Sequence, residues 1–203
     1  MRTHLYFIRH GETVWNREGR VQGHSDIPLS ETGLEQARRL AEYLQQQSVS
    51  VIYSSDLLRA RQTAESIAAK HGVQVQVTSA FRERYGGEWE GLTGAELKEK
   101  YPDWETVRFT GGSYGIESTE ELQQRIIREL EKIVDKHQGQ HIYVVSHGMS
   151  INAALTFLTR GEHGTGIIRL HNTSITHLTY EQADGWKLHK INETPHLVVK
   201  EEK

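Results

Sequence analysis

Cysteine is absent from this 203-residue chain. That single absence excludes disulfides, a thiolate nucleophile and thiolate metal sites together. No apolar run approaches the ~20 residues that a membrane-spanning helix requires, so no membrane partner is expected. The opening residues, MRTHLYFIRHGE, hold too few apolar side chains before Arg9 for the core of a signal peptide. The cytoplasm is therefore the expected compartment. An excess of positive charge is also missing. Lys and Arg number 24 against 27 Asp and Glu, a net charge of -3. A nucleic-acid-binding domain is normally basic, so no nucleic-acid partner is expected. No internal repeat, low-complexity tract or linker divides residues 1–203, which read as one domain. A domain of this size buries roughly 70% of the surface of its unfolded chain and needs no staples. Histidine, by contrast, is plentiful at 12 residues. Imidazole titrates near neutrality, so the histidines are where chemistry is sought first.

Residues 3–9 form a short apolar run with β-branched and aromatic character, read as a buried strand. Residues 16–29 lack a period and hold Gly19, Gly23 and Pro28, which predicts loop. Ser30 then opens a helix with Leu34, Ala37, Leu40, Ala41 and Leu44 on one face. Residues 49–53 read as a second buried strand, and Asp56 as the N-cap of a helix lined by Leu57, Ala60, Ala64, Ile67 and Ala68. Residues 73–77 alternate strictly and predict a strand with one wet face. Thr93 with Glu96, and Ser118 with Glu121, make two capping boxes. The first opens a short helix ending near Pro102, the second a long helix that Gly139 stops. Between them residues 102–118 show no period. A structureless stretch of that length exceeds the ~12–15 residues usual in a compact domain and predicts a functional loop or lid. Residues 141–145 predict a strand running into Ser146-His147-Gly148, followed by a helix over 149–160. The last third, with IIRL, SITHLTY and WKLHKI, reads as two or three more strands.

Strands alternating with helices predict an α/β fold, a three-layer sandwich whose mainly parallel sheet carries helices on both faces. Ligands of such sheets sit at the carboxyl ends of the strands. Three polar clusters fall there: Arg9-His10-Gly11 after the first strand, Arg59 shortly after the second, and His147-Gly148 after the fourth. Imidazole can act as a nucleophile and form a phosphoramidate. Arginine offers a planar fork of donors that suits phosphate oxygens and stays charged. A glycine directly after His10 lets backbone approach a ligand closely. Arg59, in the first turn of its helix, adds the positive end of the helix dipole, whereas Arg61 reads as a solvated face. Two His and two Arg around one anion would neutralise a phosphoryl group and its transition state. Neither a HExxH motif nor a carboxylate set at ligand spacing accompanies the histidines, so no metal and no cofactor are expected.

Taken in order, these residues resemble the histidine phosphatase superfamily, which also contains the cofactor-dependent phosphoglycerate mutases. The resemblance begins with Arg9-His10-Gly11-Glu12-Thr13 and Trp15-Asn16, and continues through Gln22-Gly23, Asp26-Ile27-Pro28-Leu29 and Leu58-Arg59-Ala60. It then takes in Glu83, Gly87-Glu88-Trp89-Glu90-Gly91, Glu117-Ser118, Ser146-His147-Gly148 and Asn172. It implies the three-layer sandwich of that superfamily and a phosphohistidine intermediate on His10. It also implies Arg9, Arg59 and His147 as ligands of the phosphoryl oxygens, and Glu83 as the acid that protonates the leaving oxygen. Gly11, Thr13, Asn16, Gln22, Gly23 and Gly148 would surround the substrate. Composition alone does not choose among Glu83, Glu88 and Glu90 as the acid; the resemblance selects Glu83. His24 reads as an exposed loop residue. Trp104, Phe109 and Tyr114 either meet an apolar substrate or pack the loop down.

The function expected is hydrolysis of small organic phosphate monoesters, with a small phosphate ester as the only partner and a homodimer left open. A mutase using the same residues is the alternative. Family mutases carry a longer insertion after the donor acid, and only a short helix and residues 102–118 follow Glu83 here. A non-catalytic phospho-ligand binder is the reading from a different class.

Overall fold

Alternate side chains along a strand point to opposite faces, so a strand apolar at nearly every position needs cover on both sides. The computed structural model, which describes residues 1–198, meets that need with a six-stranded sheet between helices. Strands β1 (Thr3–Arg9), β2 (Val51–Ser55), β3 (Val75–Thr78) and β4 (His141–Ser146) run parallel in the order β3-β2-β4-β1. Strands β5 (Ile175–Glu181) and β6 (Gly185–Glu193) extend the sheet antiparallel beyond β1. The helices are α1 (Val14–Glu18), α2 (Glu31–Leu44), α3 (Leu58–His71), α4 (Gly94–Lys100), α5 (Trp104–Thr110), α6 (Thr119–Lys136) and α7 (Gly148–Leu158). Leu5, Phe7, Ile142 and Val144 join one core with α6 and α7. Their strand neighbours Ile8, Tyr143 and Val145 join the other with α2 and α3. A third, smaller cluster of Trp89, Leu97, Val107 and Ile116 lies under the excursion between β3 and α6. Among the described residues no helix is long and apolar enough to cross a membrane.

The register places the chemistry. β1 pairs with β4 so that Arg9 stands opposite Ser146. The turns that follow, His10-Gly11 and His147-Gly148, therefore leave the sheet side by side at its carboxyl edge.

Several expected elements are displaced. Residues 14–18 are helical because Thr13 and Asn16 form a reciprocal cap, a box in which Asn16 replaces the usual Glu or Gln. In α2 the buried stripe begins at Gly33, while Leu34 is 48% exposed. Strand β2 lies two residues later than expected. Asp56 does not cap α3. Its carboxylate forms two hydrogen bonds with Arg82, at 2.7 and 2.6 Å, and Asp26 from the preceding loop accepts from Leu58 N at 2.6 Å. Part of the 102–118 stretch is helical: α5 buries only Val107 and has no side-chain cap, so it leaves no periodic signature. Residues 167–170 form no strand. The glycine after His10 answers to packing rather than to a ligand. A Cβ on Gly11 would lie 2.7 Å from Gly33 O, and one on Gly33 2.0 Å from Glu12 O.

Candidate active site

His10 leaves β1 fully enclosed, at 2% exposure. Its backbone N–H donates to Ser146 O at 3.0 Å, which ties it to the end of β4. Its carbonyl accepts from Asn172 Nδ2 at 2.9 Å and from Thr173 N at 3.3 Å. Thr173, at φ +57, holds the left-handed conformation that β-branched residues avoid. The imidazole Nδ1 meets Gly11 O at 2.7 Å. A carbonyl can only accept, so Nδ1 carries the proton and Nε2 the lone pair. Gly11 N–H donates to Thr63 Oγ1, and that hydroxyl donates to Arg59 O, which links the His10 turn to the first turn of α3.

His147 stands at the N-cap of α7 with 0% exposure, its ring centroid 5.0 Å from that of His10. Arg59 is equally buried, held by donation to Gly23 O and Ser25 O at 2.8 Å each. Arg9 donates to Leu170 O at 2.5 Å. Burial pushes the Arg59 guanidinium down to about 10 and lowers Arg9, in both cases against the pull of Glu83. Both stay charged at neutral pH. Arg9 Nε, Arg59 Nε and both ring nitrogens of His147 are buried without a protein partner. Leaving a buried polar atom unpaired costs ~1–3 kcal/mol, so these are nitrogens whose hydrogen-bonding capacity the fold itself leaves unused.

Glu83 is held at both ends. Its carboxylate accepts from Arg84 N (2.9 Å), Ser150 N (3.1 Å), Ser150 Oγ (3.1 Å) and Met149 N (3.2 Å), at the start of α7. Its carbonyl accepts from Arg125 Nη2 at 2.9 Å and from His24 Nε2 at 2.8 Å. His24 is thus a half-buried brace rather than an exposed loop residue. Glu90 braces the same region, accepting from His24 N, Gly86 N and Ser25 Oγ. Arg61 pairs with Glu65 on the solvated face, as expected.

A cavity of about 310 Å³ gathers Arg9, His10, Asn16, Gln22, Gly23, Arg59 and Glu83. His147 is not on its wall; it is fully buried beside His10. Gly148 lies in the adjoining groove, its α-carbon beside Arg9, and an added Cβ would stand 3.6 Å from Arg9 Nε. Gly11 and Thr13 are not on the cavity wall: Thr13 is buried and donates its hydroxyl to Gln22 Oε1 at 3.0 Å. The wall also contains residues that sequence reasoning missed, Arg20, Val21, Arg84, Leu97, Ile116 and Met149. Arg84 and Met149 adjoin Glu83 and Gly148, which was their only signal; Leu97 and Ile116 had none. Trp104 lines the cavity, Phe109 lines the groove, and Tyr114 packs against Trp89 and Tyr101. Among the described residues no three His, Asp or Glu side chains gather to hold a metal ion.

Burial, then the charges of Arg59 and Arg9, pushes the His10 imidazole well below its ordinary 6.5; burial and Arg59 do the same to His147. Unfolded, both titrate near 6.5. Below that pH the unfolded state therefore binds more protons than the folded one. Stability is full above pH 6.5 and falls as the pH drops, by up to ~1.4 kcal/mol per pH unit for each histidine. Urea denaturation is expected to show a lower midpoint at pH 5.5 than at 7.5, with a shallower fall in His10→Ala. Equal slopes in the two proteins would contradict the shift on His10.

The profile of the histidine phosphatase superfamily (branch 1) matches residues 5–194. The chain is 36% identical over 203 residues to phosphoglycerate mutase-like protein 4 of Arabidopsis thaliana, covering 95% of this chain and 86% of that protein. It is 33% identical over 196 residues to the uncharacterized phosphatase PhoE of Bacillus subtilis, covering 96% and 97%. Among solved structures, phosphoserine phosphatase from Entamoeba histolytica in complex with phosphoserine superposes with a TM-score of 0.83 at 29% identity, covering 97% of this chain and all of that one.

Proposed function

From the premise that this chain belongs to the histidine phosphatase superfamily, we propose that it hydrolyses small phosphate monoesters through a phosphohistidine on His10. The observation that carries the reading is a tautomerically fixed His10 beside buried Arg59 and half-buried Arg9, each of which keeps a buried Nε without a protein partner. His10 Nε2 attacks phosphorus and displaces the alcohol. Arg9, Arg59 and His147 hold the equatorial oxygens, where charge spreads in a loose transition state. Glu83 gives a proton to the leaving oxygen, then takes one from the water that cleaves the N–P bond. Asn16, Gln22 and Gly23 bound the same cavity. The Entamoeba phosphatase, solved in complex with phosphoserine, supports a small monoester as substrate. The short α4–α5 segment between Glu83 and α6 supports water rather than a second hydroxyl as the acceptor.

Arg9 and Arg59 supply the charge that a cation would otherwise provide. Enzyme treated exhaustively with chelator is expected to retain full hydrolysis of p-nitrophenyl phosphate, with one solvent oxygen entering each phosphate released. Activity restored only by a divalent ion would overturn the reading. Phosphate appearing on an added alcohol in place of water would favour the mutase.

A further inference from the structure

The cavity has two chemically different ends. Arg9, His10, Arg59 and Glu83 occupy one. The other is walled by Val21, Trp89, Leu97, Trp104 and Ile116. Trp89, Leu97 and Ile116 are only 3–5% exposed, and they belong to the third apolar cluster, which is separate from both cores of the sheet. Elements α4 and α5 thus fold around their own small apolar core, and one side of that core is the far wall of the cavity. An apolar surface left facing a pocket is stabilised by an apolar occupant.

Of the three further arginines on the cavity wall, Arg20 and Arg84 are hydrogen-bonded within the protein and Arg108 lies over aromatic rings. Arg20 pairs with Glu18 at 2.7 Å, lies 3.7 Å from Glu96, and donates to Gly91 O. Arg84 donates to Arg108 O at 2.9 Å and reaches Thr119 Oγ1 at 3.5 Å. Arg108 lies over the rings of Trp104 and Phe109, at 5.4 and 4.6 Å. Long side chains held in this way cover the wall with their stems.

We propose that the substrate is a phosphate monoester of an apolar alcohol, aliphatic or aromatic, whose body lies against Trp104, Leu97 and Val21. This rests on the phosphatase reading of the same site and gives it a substrate class. The size limit follows from volume. A water-sized group occupies ~30 Å³, so about 310 Å³ holds roughly ten such groups, the four heavy atoms of a phosphoryl group with a body of about six carbons.

The test is kcat/KM for ethyl, butyl and hexyl phosphate, with benzyl phosphate as the aromatic member. Unbranched alcohols leave with nearly equal difficulty, so the series reads contact with the body rather than chemistry. Each added methylene is expected to raise kcat/KM up to about fourfold, the worth of burying one methylene, through hexyl. Glycerol 1-phosphate and phosphoserine, of similar length but polar or charged, should fall below butyl phosphate. Trp104→Ala and Leu97→Ala should each flatten the rise with chain length, and Trp104→Phe should restore most of it. A structural role alone would lower every substrate by the same factor and leave the slope intact, which would overturn the assignment of these residues. A flat series in the wild-type enzyme, or phosphoserine exceeding butyl phosphate, would overturn the substrate class while leaving the hydrolase standing. Failure to hydrolyse any monoester, p-nitrophenyl phosphate included, would remove the phosphatase reading itself.

Discussion

Replacing His10 with alanine is expected to lower turnover by 10⁴–10⁶-fold, the order found when a covalent nucleophile is removed from an enzyme. The fold should survive. The three main-chain hydrogen bonds at position 10, to Ser146, Asn172 and Thr173, do not involve the side chain. The imidazole contributes one hydrogen bond, to Gly11 O, and its removal leaves Arg59 held by Gly23 and Ser25. Truncation removes a ring whose protonated form is disfavoured by burial and by two arginines, so the variant should retain phosphate binding. Turnover by p-nitrophenyl phosphate release, with a thermal melt of the same sample, checks both halves. Activity within tenfold of wild type would reassign the nucleophile; lost activity with a collapsed melt would leave His10 a structural role.

The second large effect belongs to Glu83. In a loose phosphoryl-transfer transition state, negative charge builds on the leaving oxygen. An alkoxide needs that charge capped by a proton, whereas nitrophenolate stabilises it unaided. Glu83→Gln should therefore cost ~10²–10⁴-fold on an alkyl phosphate, the worth of general acid catalysis, and little on p-nitrophenyl phosphate. The comparison belongs in the pre-steady-state burst, because the same carboxylate is proposed to activate water in the second step. An amide would also turn an N–H towards Met149 or Ser150, whose own N–H groups now donate to the carboxylate, and so would loosen the start of α7. That loosening would slow both substrates equally, so the ratio of burst rates isolates the acid role. Equal burst losses would remove Glu83 as the donor, and neither Glu88, exposed and bonded to Tyr101, nor Glu90, which braces His24 and Gly86, lines the cavity to replace it.

The parts of this site that could be read from the sequence are those set by local pattern. Two His-Gly pairs follow two apolar runs, and a parallel sheet brings such strand ends to one edge. The capping boxes of Thr93 and Ser118 name their helices because cap and partner lie three residues apart. What escaped depends on contacts distant in the chain. Asp26 caps a helix thirty-two residues away, so the nearer Asp56 was the natural but wrong choice. Glu83 owes its position to α7, about sixty-six residues on, and to Arg125 and His24, none of which its own surroundings announce. Helix α5 escaped for a different reason, since one buried valine makes no stripe. The apolar end of the cavity was legible only through Trp104, one of the three loop aromatics read as meeting a substrate or packing the loop, while Val21, Leu97 and Ile116 beside it look like any core residues.

The central claim is a covalent bond between phosphorus and His10, and rapid quenching tests it most directly. Wild-type enzyme mixed with ³²P-labelled monoester and stopped in alkali within the first turnover should carry label that survives base, is released by acid, and maps by peptide analysis to His10. The same experiment on His10→Ala should give unlabelled protein. Label that persists in the variant, or wild-type enzyme that turns over through a complete burst without ever becoming labelled, would contradict the account.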